Sequence, residues 1–310
     1  MELLVLNRDE VEELLDLREL LAALRDGFTA LTRNEVTAPG RNELTMPDEA
    51  FLLGMPGRLR DGLMTVKVVT VFESHDPSHL ATIGLYDQHT GACKAFIDGT
   101  YITAIRTSAA AAVATDLLAR QDARTLAIIG AGVQGEHHLK TFPLVRDFDE
   151  IRVSSLYRAD AERIVALHPR AHVVDDPEAA VRGADVVALA THAAQPVIEP
   201  EWIAPGTHVS SVGYRPPDGE LPRGLLHHRL FVETREAFEP TPVGCAELHG
   251  LDAERATELG EVLLGTRPGR RDDAEITVYK AMGHVVEDIV AAELVVRAAR
   301  QRGAGSHTVL

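Results

Sequence analysis

The segment Thr125-Leu126-Ala127-Ile128-Ile129-Gly130-Ala131-Gly132-Val133-Gln134-Gly135 constrains the fold more than any other in the chain. A compact apolar strand runs straight into GxGxxG, and a helical pattern follows. A strand that ends in such a loop and opens a helix begins a βαβ unit, and βαβ units build parallel sheets covered by helices. Each glycine has its own task. Gly130 permits the tight turn, Gly132 lets backbone approach a pyrophosphate, and Gly135 lets helix and strand pack closely. The helix N-terminus then offers free amides and partial positive charge to phosphates. Three glycines in six residues also occur in plain βα turns. The strand before them and a second strand at 151–154 favour a dinucleotide site.

The series continues as expected of a doubly wound sheet, with a helix at 159–167 and strands at 171–174, 186–190, 208–212 and 230–233. The first third reads differently. Apolar positions from Val11 to Leu31 form one amphipathic helix over 10–33. Short β-rich runs at 51–55, 63–72 and 82–86 follow, with Asp87-Gln88-His89-Thr90-Gly91 as a hairpin turn before a strand at 92–97. An Ala-rich helix covers 104–118, a helix at 285–299 nearly closes the chain, and 302–310 reads as a frayed tail. The fold class is therefore α/β: a Rossmann-type parallel sheet over 117–285 beside an α+β domain made from 1–116 with 286–310.

The ribose end of the dinucleotide site discriminates NAD from NADP. NAD-binding proteins usually place an acid there. This chain has Val153-Ser154-Ser155-Leu156-Tyr157-Arg158. A hydroxyl at Ser155 with Arg158 nearby suits a 2′-phosphate, so NADP(H) is favoured over NAD(H); the alternative leaves Arg158 a solvated helix-start residue. The balance of 31 Lys+Arg against 47 Asp+Glu argues against nucleic acid as a partner. Cys93 and Cys245 make no disulfide framework, the first twenty residues do not read as a signal peptide, and no apolar run is membrane-spanning. A cytoplasmic protein is expected. Fourteen His show no metal-ligand spacing, and no G-x-S-x-G elbow is present.

Two cations of the first domain stand out. Lys67, in Met64-Thr65-Val66-Lys67-Val68-Val69-Thr70-Val71-Phe72, shares a strand face with Val69 and Val71. It is either an edge-strand lysine in water or a pocket cation awaiting an anion. Arg106, near the start of the Ala-rich helix, suits bidentate binding of a carboxylate, or else a salt bridge to Asp98. Arg41 lies in a loop that says little by itself. His79 is either a proton donor at the site or a loop histidine.

Several segments together resemble the ornithine cyclodeaminase/μ-crystallin family over nearly the whole chain. They are APGRNEL, LLGMPG, MTVKVVTVF, DGTYITAIRTSAAAAVAT, IIGAGVQGEHHL, ATHAAQPVI, TELGEVLLGTRPGR and EITVYKAMGHVVEDIVAA. The resemblance implies that Arg41, Lys67 and Arg106 hold a substrate carboxylate, with Lys67 beside the reacting C–N bond and Ser78-His79 as in the μ-crystallin branch. It implies Thr107, Gly130, Gly132, Val133, Gln134, Ser155, Arg158, Thr191, Gly213 and Gly283 at the cofactor, and a homodimer. One departure matters. Cyclodeaminases carry an Asp after the strand ending in the equivalent of Ser211-Val212-Gly213, and Arg215 stands there instead. Asp218 could replace it only if the loop is re-routed.

The expected activity is reduction of an imine carboxylate to an α-amino acid, or the reverse dehydrogenation. A cyclodeaminase using NAD catalytically, and a non-catalytic NADPH-dependent binding protein, are the alternatives. The retained cation set discriminates in favour of an enzyme.

Overall fold

The computed structural model describes residues 2–47, 50–75 and 77–309, in two compact units. The first comprises Met1–Arg106 with His284–Leu310. It begins with β1 (Glu2–Leu6), α1 (Arg8–Leu14) and α2 (Leu17–Thr32). The single amphipathic helix expected over 10–33 is thus two helices. Asp16 breaks it by capping α2, its Oδ1 accepting from the amides of Arg18 and Glu19 at 2.9 Å each. The local cap outcompetes the apolar periodicity. Strands β2 (Val36–Thr37), β3 (Asn42–Thr45), β4 (Phe51–Leu59), β5 (Met64–Val71), β6 (His79–Tyr86) and β7 (Cys93–Asp98) follow.

These strands form an antiparallel sheet in the order β1-β7-β6-β5-β4-β2, apart from the parallel β1–β7 pair, with β3 also on β4. Alternation sets its buried face: Lys67, Val69 and Val71 of β5 lie with Leu53, Met55, Ala81, Ile83 and Ile97. The C-terminal helix Val285–Arg302 belongs to this unit and is buried at twelve positions, including Val285, Ile289 and Val296. The expected frayed tail is instead a strand. Gly303 (φ 64°) ends the helix in the left-handed region, and Ser306–Val309 returns to pair antiparallel with β1. All four of its residues are exposed, so no apolar alternation marks it.

The second unit, Thr107–Gly283, is the parallel one. Its strands are β8 (Thr125–Ile129), β9 (Glu150–Ser154), β10 (Ala171–Val173), β11 (Val186–Leu189), β12 (His208–Ser211), β13 (Arg229–Val232), β14 (Thr257–Glu258) and β15 (Thr277–Lys280). Their order is β10-β9-β8-β11-β12-β15-β13-β14, every pairing parallel. The chain moves outward from β8 to β10, then resumes on the other side with β11. That reversal makes a topological switch point between β8 and β11, where the carboxyl ends of the strands open a crevice. The dividing line falls inside α3 (Thr100–Leu118), earlier than the expected 116. From Thr107 onward α3 bonds into the parallel unit: Ser108 O accepts from Thr141 Oγ1 at 3.2 Å, and Leu118 O from Arg270 Nε at 2.6 Å.

Candidate active site

In the first unit, β5, α3 and the C-terminal helix bring two cations and two carboxylates together out of water. Lys67 is fully buried; β5 lies between β4 and β6, so the edge-strand reading is wrong. Its Nζ lies 2.7 Å from Asp288 Oδ2 as an ion pair. Arg106 donates from Nε to Asp288 Oδ1 at 3.1 Å and from Nη1 to Glu287 Oε2 at 2.7 Å. The alternative salt bridge to Asp98 does not form; Asp98 accepts from the Tyr101 amide at 2.8 Å.

The first turn of the C-terminal helix explains why the carboxylates point where they do. His284 caps it, Nδ1 accepting from the Val286 amide at 3.1 Å, and Glu287 Oε1 accepts from the His284 amide at 3.0 Å. This capping box fixes Glu287, whose second oxygen then meets Arg106. Two acids in a helix's first turn also sit favourably in its dipole.

Electrostatics follow from burial. Desolvation pushes the Lys67 ammonium down to about 8; Asp288 opposes that shift, while Arg106 and Arg41 reinforce it. Burial raises the Asp288 carboxyl, but the Arg106 and Lys67 charges outweigh it and hold the group below the ordinary carboxylate value. Burial lowers His284 to about 4, with Arg41 and Arg106 adding to the effect, so the ring is neutral at pH 7. Arg41 thus acts electrostatically on the same cluster. A lysine near 8 is protonated at neutral pH yet close enough to release a proton.

His79 lies on the same sheet face as Lys67 but in the row of Val71, four residues along and about 13 Å away. Its Nδ1 is 2.9 Å from Ser78 Oγ. The structure does not bring Ser78-His79 into the cation cluster.

The second unit carries the glycine loop. A Cβ on Gly130 (φ 106°) would stand 2.4 Å from Ala190 O, and one on Gly135 would stand 2.0 Å from Gly130 O. Those two glycines are required by the fold itself. A Cβ on Gly132 would meet nothing within 4 Å, and its φ of −75° is ordinary. Its lack of a side chain serves the open side of the loop. Helix α4 (Val133–Thr141) has no side-chain N-cap, Val133 is exposed, and Gln134 Oε1 is buried without a hydrogen-bond partner among the described residues. Open backbone and uncapped amides fit a dinucleotide pyrophosphate.

Around the same edge lie residues that sequence reasoning passed over. Glu220 is fully buried and accepts from Thr191 N and Oγ1, both at 2.7 Å, and from Gly213 N at 2.6 Å. Glu233 accepts from the amides of Met282 and Gly283 at 3.0–3.1 Å. Lys280 Nζ donates to Gly213 O at 2.6 Å and pairs with Glu247 at 2.7 Å. In the 213–221 loop Asp218 is exposed, and the Arg215 side chain reaches toward His192 O at 3.5 Å. Asp218 is therefore not re-routed inward. At the ribose end Arg158 is exposed and ion-paired with Glu162 and Asp175, and Ser155 stands at the end of β9.

The ornithine cyclodeaminase/mu-crystallin family model matches residues 1–303. The chain belongs to this family. Among curated members, the ketimine reductase mu-crystallin of Mus musculus is 38% identical over 239 residues, 75% of each chain. The solved Δ1-pyrroline-2-carboxylate reductase of Thermococcus litoralis, in complex with NADH and L-proline, is 31% identical with a TM-score of 0.91 over 99% of this chain and 100% of its own. An archaeal alanine dehydrogenase, solved as a dimer with bound NAD, is 27% identical with a TM-score of 0.88 over the full length of both.

Proposed function

We propose that this chain reduces a cyclic imine 2-carboxylate to the corresponding cyclic α-amino acid, using the reactive cluster Lys67–Arg106–Asp288. It is an NAD(P)H-dependent oxidoreductase acting on C–N bonds. The observation that carries the finer reading is a fully buried lysine, ion-paired to Asp288, set beside an arginine gripped by Asp288 and Glu287. Such a pair suits an anionic substrate with a basic nitrogen.

When bound, the reduced nicotinamide supplies a hydride to the imine carbon. Arg106 and Arg41 bind the substrate carboxylate, and this fixes the carbon to be reduced. Lys67 Nζ gives the proton that the nitrogen needs, so hydride and proton together balance the new C–H and N–H bonds. Asp288 keeps Lys67 charged between turnovers. Glu287 holds Arg106 in place through the helix cap.

For the cofactor, Ser155 and Arg158 without an acid at the end of β9 support NADP(H) over NAD(H). The Arg158 guanidinium would exchange Asp175 for a 2′-phosphate. We also read the protein as a homodimer. The outer face of the antiparallel sheet exposes Leu44, Val66, Leu80 and Phe96, and the archaeal relative is a dimer. We read the location as cytoplasmic; no helix among the described residues is long and apolar enough to cross a membrane.

The test is a cofactor-oxidation screen over cyclic imine carboxylates and over oxo acids supplied with ammonia or amines. Reduction of Δ1-pyrroline-2-carboxylate to proline is expected, with none from Lys67→Met. Conversion of ornithine to proline and ammonia with catalytic NAD would replace this reading with the cyclodeaminase one.

A further inference from the structure

Buried charges, Glu220, Lys280 and Glu247, gather at the carboxyl edge of the parallel sheet. Glu220 accepts five hydrogen bonds: from Thr191 N and Oγ1, Ser211 Oγ (2.9 Å), Val212 N (3.1 Å) and Gly213 N. These donors come from the ends of β11 and β12, adjacent strands beside the switch point. The Gly213 carbonyl is gripped as well, by Lys280 from the end of β15. Gly213 is therefore held at its amide by a buried acid and at its carbonyl by a buried ammonium group, so the peptide units on both sides of it are fixed. A Cβ on Gly213 would stand 2.6 Å from the Glu220 carboxyl carbon and 2.7 Å from Thr191 O, so the residue can only be glycine. Glu247, 2.7 Å from Lys280, completes a chain of alternating charge.

A network of this kind exceeds what the fold requires. The backbone ends of β11 and β12 could hydrogen-bond to water or neutral side chains, whereas burying three charged groups is expensive unless each is matched. The matched set buys rigidity at one place. That place adjoins the glycine loop, because a Cβ on Gly130 would also press on Thr191 Cγ2 at 3.0 Å.

We propose that Glu220 and Lys280 are positioning residues that hold Thr191 and Gly213 as the seat of the nicotinamide half of the cofactor, while the glycine loop holds the adenosine and pyrophosphate half. This rests on the dinucleotide reading of the second unit. Neither residue touches the reacting atoms; they act through the backbone on either side of Gly213.

The experiment compares binding of the reduced dinucleotide with binding of ADP-ribose and its 2′-phosphate, which lack only nicotinamide. Glu220→Gln keeps the shape but turns an N–H donor toward backbone N–H groups. It should weaken dinucleotide binding by about tenfold or more, the scale of a buried hydrogen bond turned unfavourable. ADP-ribose binding should stay within about twofold of wild type. At saturating cofactor the KM for the imine should be unchanged, since Lys67 and Arg106 lie in the other unit. Lys280→Met, which frees the Gly213 carbonyl together with Glu247 and Ser211 Oγ but leaves the five bonds to Glu220 in place, should give the same pattern and serves if Glu220→Gln does not fold. Equal weakening of both ligands, or of neither, in a folded variant overturns the proposal. Failure of wild type to bind ADP-ribose or its 2′-phosphate would overturn instead the dinucleotide reading beneath it.

Discussion

Asp288→Asn is the sharpest perturbation available, because it removes a charge and almost no volume. Asp288 Oδ2 lies 2.7 Å from the Lys67 ammonium, and every other named influence on that ammonium lowers its pKa. Two unit charges at that separation interact by about 6 kcal/mol at an effective dielectric of about 20, which is an upper bound. Opposite charges within contact distance shift a pKa by about 1–3 units in practice. Lys67 should therefore fall from about 8 in the native protein to roughly 5–7 in the variant. With Lys67 as the proposed proton donor, kcat/KM for imine reduction should decline above about pH 8 in the native protein. In Asp288→Asn that decline should begin 1–3 units lower, with a loss at pH 7.5 of roughly threefold for a one-unit shift and over a hundredfold for three units. Breaking a buried ion pair also costs about 3–5 kcal/mol, so the melting temperature must be measured beside the pH profile. A folded variant whose basic limb stays in place would refute Lys67 as the proton donor, since a limb set by the imine's own titration would not respond to Asp288.

Three further outcomes are expected. Gly132→Val should leave the melting temperature nearly unchanged, because the space there is open, while cofactor affinity falls by about a hundredfold; intact affinity would remove the glycine loop from its role. Arg158→Ala should weaken NADPH binding by about tenfold and NADH binding by less than about twofold, measured by titrating each with fluorescence. Equal losses would show that Arg158 serves only its pairs with Glu162 and Asp175. The third concerns acid. Burial lowers His138 to about 4, His208 to about 3 and His284 to about 4, so the unfolded chain takes up these protons first as pH falls from 6.5. Stability should then drop through the window from 6.5 to 4 by up to about 4 kcal/mol per pH unit, which denaturant melts at several pH values would read. A flat profile in that window would contradict burial of the rings.

The parallel sheet was legible because its signal is local. An apolar strand running into GAGVQG, with further apolar runs at βα spacing, fixes the class and the approximate strand positions before any contact is known. Lys67 and Arg106 were legible too, as cations in apolar surroundings that need a partner. What stayed hidden was the partner. Glu287 and Asp288 lie some 180 residues beyond Arg106, in a helix whose acidic first turn reads like any other. Where local signals compete, the sequence misled in a predictable way: Asp16 capping ends a helix that apolar spacing would continue, and the exposed C-terminal strand carries no pattern because it has no buried face.

The same physics hid Glu220, Glu233 and Lys280, and it links the two units' chemistry. In each unit a buried carboxylate accepts from the groups that must stay still: Asp288 and Glu287 from Arg106, Glu220 from Thr191 and Gly213, Glu233 from Met282 and Gly283. An acid among polar loop residues has no spacing rule to announce it, since its donors are mostly backbone amides, which every residue supplies. Only its burial is informative, and burial is decided by the whole fold. A carboxyl group that accepts from several donors at once holds all of them in place. Reactive groups here are consequently oriented by fixed charges rather than by packing alone. A neutral isostere at these acids should therefore disturb function more than its small change in shape implies.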